Sequence, residues 1–273
     1  MTWEEAVIYF RSLPGNALIT RDAYLEEDLI QNVNNFRNSE EWSETIKEIS
    51  KLLKNRKQVN ILDLGAGNGI SSISFALHGF NVTALEPDKS ATVGCGAIKL
   101  LAEYYKLNNI SIIEAFGERL PFENEIFDIV YGRQVMHHAK NLKVFVNEAS
   151  RVLKIGGIFM TVRDHVITNE IDKNKFLIKH PLHKYYGGEN AFRFDEYKEA
   201  IEKAGLRIKN VIKPSQSAIN FSPWSKERIM TVIKDKIGKN FCNTLFINLL
   251  WKINLYRLEI IPGRLFSFIA IKN

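Results

Sequence analysis

The sequence predicts an α/β fold: a doubly wound, mostly parallel sheet with helices on both faces. Three observations carry this. Short runs rich in β-branched and apolar residues recur near 59–64, 81–85, 110–115, 127–131 and 156–163. Such continuous runs mark strands buried on both faces. Helical patterns at 70–78, 89–106 and 141–153 alternate with them, as parallel strands require. The first strand, Val59 to Leu64, breaks into a turn with Gly65, Gly67 and Gly69 before a helix starts near Ile70.

Length and composition bound the reading. The 273 residues suffice for one full α/β domain with additions. The 45% hydrophobic and 25% charged shares are ordinary for a soluble globular protein. Cys95 and Cys242 lie far apart, without zinc-type spacing, and Glu4 and Glu5 stand where a secretory signal would be basic and then apolar. A cytoplasmic location is expected. The formal charge of +6 is uneven: residues 203–273 hold thirteen Lys or Arg against three acids, a difference of +10. A basic flank of this kind fits a solvated face, an anionic substrate, a membrane surface or nucleic acid.

In chain order, residues 1–55 read as a helical cap. Trp3–Ser12 ends at Pro14-Gly15, a second helix lies near Leu25–Val33, and a third, Glu40–Leu53, follows Ser39 as N-cap. This cap is expected over the ligand face, with Asn34, Asn35, Phe36 and Arg37 closing the pocket. Asn55 to Gln58 joins it to the core, 56–213. Gly94 and Gly96 weaken the second core helix. After an atypical segment, 164–193, a helix runs from Asp195 to Ala204, Gly205 stops it, and a sixth strand covers 206–213. Residues 214–262 form a helical insertion, and the last strand, Leu265 to Ile271, lies in 263–273.

The glycine turn is the chemical centre. Glycine admits positive φ and lets a ligand approach bare backbone, and the N–H groups at a helix start favour an electron-rich group. Glu86 follows the second strand about twenty residues past Gly65, where a carboxylate meets ribose hydroxyls in such folds. The spacing is G-x-G-x-G, with Asp63 two residues before the first glycine. An acid there is a poor neighbour for pyrophosphate and a good one for a cation.

With Leu62-Asp63-Leu64-Gly65-Ala66-Gly67-Asn68-Gly69 stand three further stretches: Leu120-Pro121-Phe122, Phe127-Asp128-Ile129-Val130 and Arg151-Val152-Leu153-Lys154-Ile155-Gly156-Gly157. In that order they resemble the class I S-adenosylmethionine-dependent methyltransferases, with a type 11 methyltransferase-like domain, over roughly residues 30–215. The resemblance implies a Rossmann-like seven-stranded sheet whose last strand is antiparallel, with S-adenosylmethionine as cofactor. It places Asp63 and the backbone of Gly65, Ala66, Gly67 and Gly69 at the methionine part, Glu86 at the ribose and Pro87 beside the adenine. Phe116, Gly117 and Glu118 would flank the adenine ring. Many members have aspartate where Phe116 stands, so either Glu118 or stacking must serve. The backbone near Arg133 or Gln134 would meet the methionine amine.

Residues beyond the fourth and fifth strands are the candidates for chemistry. His137 and His138 are general-base candidates, since imidazole titrates near neutrality, and an Asp164–His165 pair is the alternative. Arg37, Arg163, His183, Tyr185, Tyr186, Glu189 and Asn190 are candidates for binding a small-molecule acceptor. Asp164, His165, His180 and His183 have ligand chemistry but no recognised spacing, so no metal is expected. Residues 223–262, basic and then apolar, are expected as a lid over the pocket, with a peripheral membrane surface and a homodimer contact as alternatives. No stacking motif or basic groove points to nucleic acid. The expected activity is methyl transfer to an oxygen or nitrogen of a small molecule, such as a sugar or biosynthetic intermediate. The alternatives are an RNA or protein methyltransferase, or a non-catalytic cofactor-binding subunit.

Overall fold

The computed structural model describes residues 1–53, 58–237 and 244–273; Asn55–Lys57 of the expected joint, Lys239 and Cys242 lie outside them. Four helices come first: α1 (Trp3–Ser12), α2 (Ala17–Asp22), α3 (Leu29–Arg37) and α4 (Glu40–Leu53). Thr2 and Glu5 close α1 with a capping box. The single helix expected over Leu25–Val33 is instead a turn followed by α3, because Asp28 caps a new start by accepting from Gln31 N at 2.9 Å.

The core then alternates β1 (Asn60–Leu64), α5 (Ile70–Leu77), β2 (Asn81–Leu85), α6 (Cys95–Tyr104), β3 (Ile110–Ile113) and β4 (Phe127–Arg133). A 3₁₀ turn (Met136–His138), α7 (Leu142–Val152) and β5 (Leu153–Ile167) follow. The helix expected from residue 89 begins only at Cys95. Asp88 holds the preceding loop, its side chain accepting from Ser90 N at 2.7 Å and its carbonyl from Cys95 N at 2.7 Å. Residues 164–193 are more ordered than expected: β5 continues to Ile167, then come α8 (Glu170–Lys179), α9 (His183–Tyr186) and the two-residue β6 (Phe192–Arg193). The chain ends with α10 (Phe194–Lys203), β7 (Leu206–Ile212), α11 (Ala218–Phe221), α12 (Lys226–Ile237), α13 (Thr244–Ile260) and β8 (Arg264–Lys272).

The strands lie in the order β3-β2-β1-β4-β5-β8-β7, with β6 added on β5. β1 to β5 are parallel and β8 runs antiparallel between β5 and β7. This is the Rossmann-like sheet expected, with β6 extra. Side chains alternate faces along a strand, which splits the core in two. Ile61 packs with Phe36, Trp42 and Phe75 under the N-terminal helices, whereas Leu62 packs with Phe145, Val146 and Phe268 on the opposite side. Strand order reverses between β1 and β4, so the ligand crevice belongs beyond their carboxyl ends. No described helix is long and apolar enough to cross a membrane.

Candidate active site

The turn after β1 is built by three glycines at positive φ: Gly65 at 64°, Gly67 at 55° and Gly69 at 87°. Ala66 N donates to Leu85 O at 3.0 Å and Gly69 N to Ala66 O at 2.9 Å, which pins the turn to β2. A side chain at Gly65 would collide with Val135, so the bare backbone is a packing requirement there. At Gly67 an added Cβ would meet nothing within 4 Å; it would enter the cavity.

Two carboxylates hold this turn. Glu86 Oε2 accepts from Gly67 N at 2.8 Å and Oε1 from Asp88 N at 2.9 Å. Burial pushes its pKa up to about 7, against the lowering effect of those two N–H groups. Asp63 is fully buried. Its Oδ2 accepts from Ser71 Oγ at 2.6 Å and Ser72 Oγ at 2.5 Å, while Oδ1 has no hydrogen-bond partner. Burial raises its pKa to about 6.

A cavity of about 460 Å³ opens on this turn, within the usual range for small-ligand sites. One part of its wall is Gly65–Asn68, Ser71, Glu86, Pro87 and Asp88. The N-terminal segment contributes Trp3, Ala23 and Leu25. The rest is unusually polar for a buried surface: Arg133, Gln134, His137, His138, His165, His180, Tyr186 and Glu189, with Val135 and Leu182.

The histidine wall is drawn together from three places in the chain. His137 and His138 sit in the 3₁₀ turn after β4, His165 near the end of β5, and His180 and Glu189 on either side of α9. A β-bulge shifts the β5–β8 register between Thr161 and Asp164, with Arg163 at φ 62°. Bulges re-aim side chains beside sites. Here it leaves Asp164 beside the 3₁₀ turn, where Oδ1 meets His137 Nδ1 at 3.1 Å. His137 Nε2 stands 3.7 Å from Glu189 Oε2. Burial works against charge on this imidazole, yet Asp164 and Glu189 outweigh it and raise its pKa to about 9. His165, half-buried and bonded to a backbone carbonyl rather than an acid, is held well below its ordinary value by desolvation and by His137. Tyr186 donates its hydroxyl to Glu189 Oε1.

Of the residues singled out from sequence, Gly65, Ala66, Gly67, Glu86, Pro87, Arg133, Gln134, His137, His138, His165, Tyr186 and Glu189 line the cavity. Others do not. Asp63 and Gly69 lie behind the turn, Gly69 packed on Ile98. Phe116 is 61% exposed, under the Lys140 ammonium. Gly117 packs on Phe145, and Glu118 accepts from Lys140 N at 2.8 Å. The expected Asp164–His165 pair is replaced by Asp164–His137, while His165 Nδ1 donates to Gly263 O at 2.7 Å. Arg37 donates to Ser74 O at 3.2 Å, and Arg163 to the carbonyls of Ile219, Asn220 and Ser222. Tyr185 packs on Tyr9, and neither His183 nor Asn190 reaches the cavity wall.

The cap closes the pocket differently from expectation: Phe36 is core and Trp3 and Leu25 do the covering. Asn68 Nδ2 ties the glycine turn to Tyr24 O at 2.7 Å. None of the described residues of 223–262 lines the cavity. Instead α13 exposes a stripe of Leu245, Leu249, Ile253, Tyr256 and Ile260. Sequence reading missed Glu41, which receives Arg133 Nε at 2.6 Å and stands 3.5 Å from Arg163 Nη1. The signal was a charge on the apolar stripe of α4, shared with Thr45 and Ile49.

The cavity fits the cofactor implied by the motifs. Gly67 leaves open the space a side chain would fill, and Glu86 presents a buried carboxylate beside it. Comparison with known proteins agrees. Residues 62–161 match the family model of a methyltransferase domain. The chain is 31% identical over 103 residues to the phthiotriol/phenolphthiotriol dimycocerosates methyltransferase of Mycobacterium tuberculosis, covering 38% of this chain and 36% of that protein. It thus spans about a third of that relative's length. It is 30% identical over 165 residues to an uncharacterised protein of Methanocaldococcus jannaschii, covering 59% of this chain and 70% of that one. Its fold is similar to that of Haemonchus contortus phosphoethanolamine N-methyltransferase 2 in complex with S-adenosyl-L-methionine, at TM-score 0.59 and 20% identity, covering 85% of this chain and 52% of the other. The chain belongs to the class I S-adenosylmethionine-dependent methyltransferases.

Proposed function

We propose that this chain transfers a methyl group from S-adenosylmethionine to an oxygen or nitrogen of a small molecule. The observation that carries this is the make-up of one cavity: a bare glycine turn with Glu86 on one side, and four imidazoles, Tyr186 and Glu189 on the other. Gly65–Gly67 and Glu86 would hold the cofactor, which supplies a methyl group already activated by a sulfonium. What remains for the protein is to orient the acceptor and exclude water, and orientation alone reaches effective molarities of about 10⁵–10⁸ M. Trp3, Leu25 and Leu182 do the excluding.

The polar wall suits an acceptor bearing hydroxyl or amino groups. Glu189 accepts hydrogen bonds, and the imidazoles around it both donate and accept. A hydroxyl loses its proton as it attacks, and an ammonium must lose one beforehand to free its lone pair; this wall is where that proton is received. Relatives named for a phthiotriol and for phosphoethanolamine act on unlike acceptors, so the wall rather than the fold selects the substrate.

The test is methyl transfer from radiolabelled S-adenosylmethionine to panels of polyhydroxylated and amino compounds. Label in a small polar acceptor, lost in Glu189→Gln, supports the reading. Label in RNA or protein would replace it with macromolecule methylation. Tight S-adenosylhomocysteine binding without turnover on any acceptor would leave a non-catalytic subunit.

A further inference from the structure

We propose that His137, His165 and Glu189 bind a divalent first-row transition ion of the zinc or iron type inside the cavity. One ring nitrogen from each histidine and one oxygen of Glu189 all lie within 4.8 Å of one another. Among the described residues no other such group of His, Cys, Asp and Glu comes together.

The hydrogen bonds behind the ligands make the case. His165 Nδ1 faces Gly263 O at 2.7 Å, and a carbonyl can only accept, so the proton sits on Nδ1 and the Nε2 lone pair is free. His137 Nδ1 is likewise committed to Asp164 Oδ1 at 3.1 Å, leaving Nε2 toward Glu189. Carboxylate or carbonyl partners on the far nitrogen are the usual support of metal-binding histidines, fixing tautomer and ring orientation. Asp164 is fully buried and its Oδ2 has no hydrogen-bond partner. His180 adds a second unexplained atom: its buried Nδ1 has no hydrogen-bond partner and stands 3.7 Å from Glu189 Oε1. It faces Glu189 from outside the group of three.

Two imidazoles and a carboxylate match zinc or non-haem iron better than magnesium or calcium, which prefer oxygen alone. Ligand atoms at 2.0–2.1 Å from zinc stand about 3.4 Å apart, so each side chain would move inward by roughly 1 Å. The ligands come from the turn after β4, from β5 and from the loop after α9. A site assembled that way has no sequence spacing to betray it. In the same cavity as the glycine turn, such an ion would grip an acceptor hydroxyl and lower its pKa. The function of the ion rests on the methyl-transfer reading; its binding does not.

The test is titration of chelator-treated full-length protein with Co²⁺ and Zn²⁺, by visible absorption and calorimetry, with S-adenosylhomocysteine binding measured in parallel. One ion per chain is expected, weakened at least 100-fold in His165→Gln and Glu189→Gln. In Asp164→Asn the weakening is 10- to 100-fold. Retained S-adenosylhomocysteine binding in His165→Gln shows that the variant is folded. No stoichiometric binding of either ion, binding of Mg²⁺ in their place, or binding unchanged in both ligand variants would overturn the site. None of these outcomes would touch the cofactor assignment, which falls only if S-adenosylhomocysteine fails to bind.

Discussion

The backbone N–H of Gly67 donates to Glu86 Oε2 at 2.8 Å, tying the glycine turn to the end of β2. The carboxylate is therefore already at work before any ligand arrives, and it is buried. Its pKa of about 7 lies above its ordinary 4.5, so folding takes up a proton between those values. Stability is then fully present below about pH 4.5 and is lost as pH rises through 7. The loss is about 3 kcal/mol at most, an order-of-magnitude figure. Asp63, raised from 3.8 to about 6, adds to it in the same direction. Urea denaturation of the wild type at pH 5 and pH 8 is expected to show the fall. Glu86→Gln is expected to reduce the fall to the part that Asp63 contributes, and an equal slope in that variant would refute the account.

Ligand affinity runs the other way. Ribose hydroxyls donate, so they need the ionised carboxylate, and burial makes ionisation costly until about pH 7. S-adenosylhomocysteine binding, followed by calorimetry, is expected to tighten up to tenfold per unit of rising pH and to level off above 7. In Glu86→Gln it should be at least tenfold weaker at pH 8 and insensitive to pH below it. If both outcomes are found, one residue trades apo-state stability for cofactor affinity.

Gly67 and Gly79 make a controlled pair. Both have positive φ, 55° and 99°, and a Cβ on either would meet no atom within 4 Å. Alanine at either should therefore cost about 1–2 kcal/mol of backbone strain. Only Gly67 lines the cavity. Gly67→Ala is expected to weaken S-adenosylhomocysteine binding at least tenfold, and Gly79→Ala to leave it within a factor of two. Equal effects on binding would mean that the turn does not contact the ligand.

What was legible in the sequence was local. β1, its glycine turn and the start of α5 are neighbours in the chain, and Glu86 follows one βα unit later, so period and spacing find them. Phe116 shows the limit. Its loop follows β3 as expected, but the ring is 61% exposed, and nothing in the spacing says which way a loop side chain turns. The histidine wall was half visible: His137, His138, His165 and Glu189 were found as residue types in segments beyond the fourth strand. Which of them pair depends on a bulge in β5 against β8, a partner about 100 residues away. The N-terminal contribution was least visible. Trp3 and Leu25 read as ordinary apolar positions of amphipathic segments, and nothing in their spacing separates a cavity wall from a core.

Glu41 is the sharpest case of such a long-range contact, and it carries the last prediction. It lies 92 residues from Arg133 in the chain, is 1% exposed, and accepts from Nε at 2.6 Å and Nη2 at 3.2 Å. Arg133 in turn lines the cavity and lies over the rings of Tyr24 and Phe36, at 5.3 and 5.8 Å. Arg163, also buried, stands 3.5 Å from the same carboxylate. Removing Glu41 leaves two guanidiniums out of water without their counter-charge, which costs about 3–5 kcal/mol. Glu41→Ala is expected to lose that much in urea denaturation, enough to unfold a marginal domain at 37 °C. The double variant Glu41→Leu with Arg133→Met removes charge on both sides at similar volume and is expected to recover more than half of the loss. Arg163 keeps its three carbonyl partners on α11 and the residue after it, so it need not leave the interior. If the double variant were no more stable than Glu41→Ala, Arg163 rather than Arg133 would be the charge that Glu41 chiefly serves.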